Sequence, residues 1–340
     1  MPTGIAHGGR LIEARRLFAS APAPFIDLST GINPHAYPIG PIGPDALARL
    51  PEPEDILRVQ AVAAACYGVA DPGMVVATPG TQIAISLLPY LLGCRAATIL
   101  APTYAEHRAG WDNAGLPVEV AYGIEAFASN ALQPGTAAIL CNPNNPDGRR
   151  LPPGRLLALA SAQSEQGGVL ICDEAFVDLE PDMTGLGSCL PHPGLLVLRS
   201  FGKSYGLAGI RLGFILASAG LAGRLRAAFG PWAISGVAIQ AARVALADTA
   251  WRAAMADRLR RDGADLDRLL LRHGFRGQGG TALFRLYCGR GAAALHRHLG
   301  EAGLLVRRFD DDPNLLRFGL PGDAMAWARL QAALRSARLP

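Results

Sequence analysis

The chain has 340 residues, 50% of them hydrophobic and 18% charged, which suits about two domains with large cores and argues against a disordered chain. Its net charge of +4 comes from scattered arginines rather than a basic stripe, so no nucleic-acid partner is expected; the densest stretch, Arg252 to Arg276, follows a helical pattern and reads as a solvated face. No apolar run approaches the about 20 residues of a membrane span, and the N-terminus lacks the about 7–15-residue apolar stretch of a secretory signal, so no membrane partner is expected.

In chain order, residues 73–78 read as a strand and 81–92 as a helix, joined at Pro79-Gly80-Thr81-Gln82. Such a turn offers free amides and the positive end of a helix dipole, which suit a phosphate, although alone it is equally an ordinary capped turn. A strand over 96–101 and a helix over about 104–114 follow, with Tyr104 just beyond the strand. Strand-like runs recur at 117–122, 136–141, 168–172, 194–199 and 210–216, with a helix over 153–166. Alternation of this kind implies a parallel sheet covered on both faces. Beyond Gly230-Pro231 the pattern changes. One helical stretch runs from about 235 to 273; strands near 282–287, 304–307 and 314–318 then mix with helices near 291–301 and 323–337, as in a smaller α+β domain. The Pro/Gly-rich segment 31–53 reads as a crossing between domains. The expected division is an arm and part of the small domain over 1–44, a large domain over 45–235 and a small domain over 236–340.

Of the 32 basic residues, 31 are arginine and one, Lys203, is lysine. A chain that uses Arg wherever charge suffices keeps Lys where an amine is needed, because a guanidinium stays protonated and cannot act as a nucleophile. Lys203 lies in Ser200-Phe201-Gly202-Lys203-Ser204-Tyr205-Gly206-Leu207-Ala208-Gly209-Ile210-Arg211, where a hydroxyl and a guanidinium flank a glycine-rich loop in a way that suits a phosphate. The six cysteines show neither C-x-x-C pairing nor metal spacing; Cys141 and Cys172 read as core residues, no metal is expected, and a reducing cytoplasm is the expected compartment.

The Lys203 segment resembles the Schiff-base loop of fold-type I pyridoxal 5′-phosphate (PLP) enzymes, the aspartate-aminotransferase superfamily. Three more segments match it in order: Pro79–Gln82, Asn142-Pro143-Asn144-Asn145-Pro146-Asp147-Gly148, and Asp173-Glu174-Ala175-Phe176. The resemblance spans essentially the whole chain and implies an α/β fold, a large domain with a mostly parallel seven-stranded sheet beside a smaller α+β domain. It implies that Lys203 carries PLP, that Gly80, Thr81, Gln82, Ser200 and Arg211 surround its phosphate, that Asn145 bonds its phenolic oxygen, that Asp173 pairs with its ring nitrogen, and that Tyr104 stacks on its ring. It also implies a homodimer. One residue departs from the pattern: the aminotransferase branch often has R-Y-P-D-P, and Leu50, in Arg49-Leu50-Pro51-Glu52-Pro53, cannot make the phosphate bond of that tyrosine.

Within the superfamily, Arg317 matches the arginine that grips a substrate α-carboxylate, and Arg307 a second substrate arginine of the histidinol-phosphate aminotransferase branch. His7-Gly8-Gly9-Arg10 and the later Ile32-Asn33-Pro34 together resemble the L-threonine-O-3-phosphate decarboxylases of cobalamin biosynthesis, as does Phe176 in place of the aminotransferase tyrosine. That resemblance implies a small phosphorylated amino-acid substrate held by His7, Gly8, Asn33, Arg307 and Arg317. Because nearly the same residues serve transamination, an aminotransferase acting on histidinol phosphate or an aromatic amino acid is the alternative.

Overall fold

The structure, a computed structural model, describes residues 7–338 and divides into two compact units: residues 36–145 with 149–253, and residues 7–35 with 146–148 and 254–338. Its strands are β1 (Ile26–Leu28), β2 (Val75–Thr78), β3 (Ala96–Leu100), β4 (Val118–Ala121), β5 (Thr136–Cys141), β6 (Val169–Asp173), β7 (Leu195–Ser200), β8 (Gly213–Ala217), β9 (Arg276–Thr281), β10 (Phe284–Cys288), β11 (Leu304–Arg308) and β12 (Leu315–Gly319).

The larger unit holds a seven-stranded sheet in the order β2-β8-β7-β6-β5-β3-β4. Only β8 runs against its neighbours. β5, β6 and β7 are buried along their whole length, because helices cover both faces, and their sequences are correspondingly apolar runs rather than alternating ones. Alternate residues feed two cores: Leu140, Leu170, Cys172 and Val197 enter one, and Ile139, Ile171, Leu196 and Leu198 the other. The carboxyl ends of the parallel strands, the start of β8 and the end of β2 all reach the same edge, where ligands of open α/β sheets bind.

The smaller unit carries a five-stranded sheet in the order β1-β11-β12-β10-β9, with β1 and β11 parallel and the remaining pairs antiparallel. Helices Ala292–Glu301 and Ala324–Ser336 belong to it, as does most of Thr249–Arg272.

Three expectations differ from what is observed. The helical stretch from 235 to 273 is two helices, Gly236–Ala245 and Thr249–Arg272. Asp248 interrupts it: its carboxylate accepts the Trp251 N–H at 2.9 Å, a cap for the second helix, and the Tyr37 hydroxyl at 3.1 Å. The first of these helices lies in the larger unit, where its Ala238, Ile239, Ala241 and Ala242 enter the core, so the units divide at 253/254 rather than at 235/236. Segment 31–53 does not cross as a single linker: residues up to His35 belong to the smaller unit, and helix Pro53–Tyr67 begins before the segment ends.

Candidate active site

The nine residues expected around a cofactor line one cavity of about 200 Å³ in the larger unit. Each sits at the same sheet edge. Gly80 ends the turn after β2 with φ +83° and opens helix Thr81–Leu91. A Cβ on Gly80 would lie 2.5 Å from Nη2 of Arg211, so glycine is what lets the guanidinium reach the helix start. Arg211 is the sole non-glycine residue with positive φ (58°) among the described residues, a strained backbone of the kind found where a side chain must be aimed. Its Nη1 donates to the Ala208 carbonyl at 3.0 Å. Backbone amides, a helix dipole and this guanidinium form a seat for a phosphate.

Tyr104 follows β3, and its hydroxyl donates to Gln82 Oε1 at 2.9 Å; Gln82 Nε2 donates onward to Glu106 at 3.1 Å. Burial pushes the Tyr104 phenol up to about 12, so it stays a neutral donor. Asn145 follows β5. The loop that presents it is pinned by Asn144, whose side chain donates to the Pro102 carbonyl and accepts from Thr103, both at 2.8 Å. Lys203 is half-buried in the short helix Phe201–Ser204 after β7. Its Nζ lies 5.7 Å from the ring centroid of Phe176, within cation–π range. The loop base is clamped by stacked rings, Phe201 on Tyr205 at 4.6 Å and Tyr205 on Trp251 at 5.5 Å, each pair worth about 0.5–1.5 kcal/mol beyond its burial. A Cβ on Gly202 would press on Ala208 Cα at 2.9 Å.

Asp173 ends β6, buried, and its Oδ1 accepts the Ala175 N–H at 3.0 Å. Its Oδ2 bonds Nε2 of His107 at 3.0 Å and lies 3.8 Å from Cys141 Sγ, the register partner of Asp173 on β5. Burial works against a charge on His107, but Cys141 and Asp173 outweigh it and raise its pKa from 6.5 to about 10. The protonated imidazole is thereby favoured beside Asp173. His107 escaped the sequence reading. Its signal was position: it lies three residues beyond Tyr104, whose carbonyl accepts the His107 N–H at 3.1 Å, and the two rings meet edge-on at 6.0 Å.

A second buried assembly braces the strand ends. Arg199, on β7, donates to Glu174 at 2.8 Å and also to Asp178, and its guanidinium lies 4.3 Å from the Tyr67 ring centroid. Burial opposes its charge, but the two carboxylates raise its pKa above the ordinary arginine value. Because Glu174 follows Asp173 and Arg199 precedes Ser200, this triad ties the Asp173 strand to the Lys203 loop.

The expected substrate residues all lie in the smaller unit. His7, Gly8 and Arg307 line an open cavity of about 970 Å³. Arg317 and Asn33 do not line it. Asn33 is buried, and its Oδ1 accepts the His35 N–H at 2.9 Å, which gives it a turn-forming part. Arg317 is buried and donates to the Ser29 carbonyl at 2.9 Å. Arg307 and Arg317 stand directly opposite each other on antiparallel β11 and β12, so their side chains share a face. Burial, with Arg307 beside it, lowers the pKa of Arg317 to about 10. Leu50, in the larger unit, is exposed.

The donor set fits PLP: a phosphate seat at Gly80, Thr81 and Arg211, an amine at Lys203, and a buried carboxyl group at Asp173 hydrogen-bonded to His107. A family model, aminotransferase class I and II, matches residues 60–325. The chain is 41% identical over 339 residues to a threonine-phosphate decarboxylase of Pseudomonas aeruginosa, covering 99% of each chain. It is 31% identical over 330 residues to one of Salmonella typhimurium, covering 91% of this chain and 89% of the other. A solved L-threonine-O-3-phosphate decarboxylase from Porphyromonas gingivalis superposes with a TM-score of 0.74 at 22% identity, covering 92% of this chain and 98% of that one, which speaks to the fold alone. Ordered motifs, sheet topology and near-full-length relatives thus agree that the chain belongs to the class I and II aminotransferase family.

Proposed function

We propose that the protein is a PLP-dependent carboxy-lyase that converts L-threonine O-3-phosphate to (R)-1-amino-2-propanol O-2-phosphate for cobalamin biosynthesis. The observation that carries this reading is the facing pair Arg307 and Arg317. Like charges directly opposite on a sheet destabilise it, and burial of Arg317 adds a desolvation cost. Such a pair suits a ligand that brings more than one negative group, as a phosphorylated amino acid does. The near-full-length likeness to threonine-phosphate decarboxylases supports the same substrate.

Bound PLP supplies an electron sink for a bond at the substrate Cα. The rest falls to the chain. Lys203 would contribute the amine that carries the cofactor. Asp173, fixed by its bond to His107, would hold the proton at the ring nitrogen. Asn145 and Tyr104 fix the ring's setting, and Ser200, Thr81, Gln82 and Arg211 anchor its phosphate. Phe176 has no hydroxyl and can only pack. Arg317 has the planar fork that suits a carboxylate, while Arg307 brings charge and His7 a ring N–H for the phosphate, with Gly8 and Asn33 shaping the backbone around them. This orientation selects the Cα–carboxylate bond for cleavage. Lys203 Nζ would return a proton to Cα in place of the CO2 that leaves.

Free cysteines support a reducing cytoplasm as the compartment. Exposed Leu47, Leu50, Leu57 and Trp232 on the larger unit support a homodimer, which light scattering in solution would test. Incubation with L-threonine O-3-phosphate tests the activity: CO2 and the amino-alcohol phosphate are expected in equal amounts, and glutamate formed from 2-oxoglutarate without CO2 would sink the proposal.

A further inference from the structure

The His7-Gly8-Gly9 arm meets Ser29 of the smaller unit. The Gly9 N–H donates to Ser29 Oγ at 2.7 Å. The Ser29 hydroxyl donates in turn to Asp27 Oδ1 at 2.6 Å, and the Ser29 N–H donates to the same oxygen at 2.8 Å. Thr30 Oγ1 donates to the other Asp27 oxygen at 3.3 Å. A hydroxyl has a single proton, so giving it to Asp27 leaves the Ser29 lone pairs for the arm. Asp27 lies on β1, in register with Leu305 of β11, which fixes the carboxylate by sheet geometry. The approach of the arm depends on glycine. A Cβ on Gly8 would collide with the Ser29 carbonyl oxygen, and Gly9 adopts φ +81°. The same Ser29 carbonyl accepts from Nη2 of Arg317 at 2.9 Å. Ser29 thus meets the arm with its side chain and Arg317 with its backbone.

We infer that Asp27 and Ser29 form a clasp that docks the arm in register with Arg317, so that arm position and the carboxylate-binding guanidinium are set together. This rests on the reading of His7 and Arg317 as substrate groups given above. Both clasp residues are positioning residues; their own groups are spent on the arm and on each other. The clasp should govern preference for a phosphorylated over an unphosphorylated amino acid, since it holds the arm and leaves the Lys203 loop untouched.

The Ser29→Ala holoenzyme removes the acceptor and keeps the carbonyl. Trypsin cleavage after Arg10, read as release of the first ten residues by mass spectrometry, should quicken about fivefold, the scale of one lost hydrogen bond. KM for L-threonine O-3-phosphate should rise by about the same factor with kcat nearly unchanged, while kcat/KM for L-threonine stays level. Asp27→Asn weakens the hold on the Ser29 hydroxyl from the other side of the clasp and should reproduce both effects. The double variant should be no worse than either single one, the non-additivity expected of a shared contact. If Ser29→Ala fails to fold by circular dichroism, Asp27→Asn decides by the same two readouts. Unchanged cleavage with unchanged KM, or effects that simply add, would overturn the clasp. A wild-type enzyme inert toward L-threonine O-3-phosphate would instead sink the proposed substrate, and faster cleavage in the variants would still support the docking of the arm.

Discussion

The two units solve different problems with different materials. The larger one arranges its cavity at the ends of strands buried on both faces, and pairs polar side chains there: Asp173 with His107, Tyr104 with Gln82, Arg199 with Glu174 and Asp178. The smaller one sets two arginines against each other on neighbouring strands and holds a glycine arm by a single hydroxyl. Satisfied buried networks rigidify; like charges set directly opposite on a sheet carry a cost that an anionic ligand can relieve. The difference teaches where reaction and selectivity are separable. Changes in the larger unit should cost the cofactor or the fold, whereas changes in the smaller one should cost substrate choice while the bound cofactor's spectrum stays as it was.

The largest expected effect comes from Lys203→Ala. Loss of the sole lysine should abolish the visible absorbance of the holoenzyme and lower turnover by about 10⁴-fold or more, as for removal of other covalent catalytic groups. A variant that kept the absorbance band would remove the basis of the comparison. Next is Arg199→Met, which leaves Glu174 and Asp178 buried without their partner. Thermal or urea unfolding should register a loss of about 3–5 kcal/mol, and a loss below about 1 kcal/mol would show that the brace is dispensable.

Arg317→Lys keeps the charge and removes the fork. It should reduce kcat/KM by about 10- to 100-fold, the worth of hydrogen bonds to a charged group, with an unaltered cofactor spectrum. A changed spectrum would mean that the two units are not separable in this way. The smallest effect is one of slope. His107 has a folded pKa near 10 against 6.5 unfolded, so its contribution is complete below pH 6.5 and is lost as pH rises through about 10. Stability measured by denaturation should decline across that window, and His107→Gln should flatten the decline. An unchanged slope would take the cationic histidine out of the account.

Much of the larger unit was legible in the sequence because its chemistry lies within short segments. Gly80, Asn145, Asp173, Lys203 and Arg211 each sit in a motif a few residues long, and strands such as 136–141 are uninterrupted apolar runs. His107 and Cys141 were not legible as partners of Asp173, because the sheet and a helix bring them together from three segments distant in the chain. The Arg199 triad was hidden for the same reason. β1 is three residues long, and β9 is glycine-rich and largely exposed, so neither shows the alternation that marks a strand. Helix Pro53–Tyr67 was missed because its Pro-rich approach drew the reading toward a crossing; Pro53 instead occupies the first helical turn, where proline is favoured. The break at Asp248 looked like more helix because only a capping side chain distinguishes it.

Decarboxylation and transamination draw on nearly the same residues of the larger unit, so the choice between them is the sharpest test of what the smaller unit contributes. The measurement is product analysis of the purified holoenzyme supplied with L-threonine O-3-phosphate and 2-oxoglutarate together. The account predicts one CO2 for each 1-amino-2-propanol O-2-phosphate, with no glutamate. Glutamate and a keto acid without CO2 would contradict it.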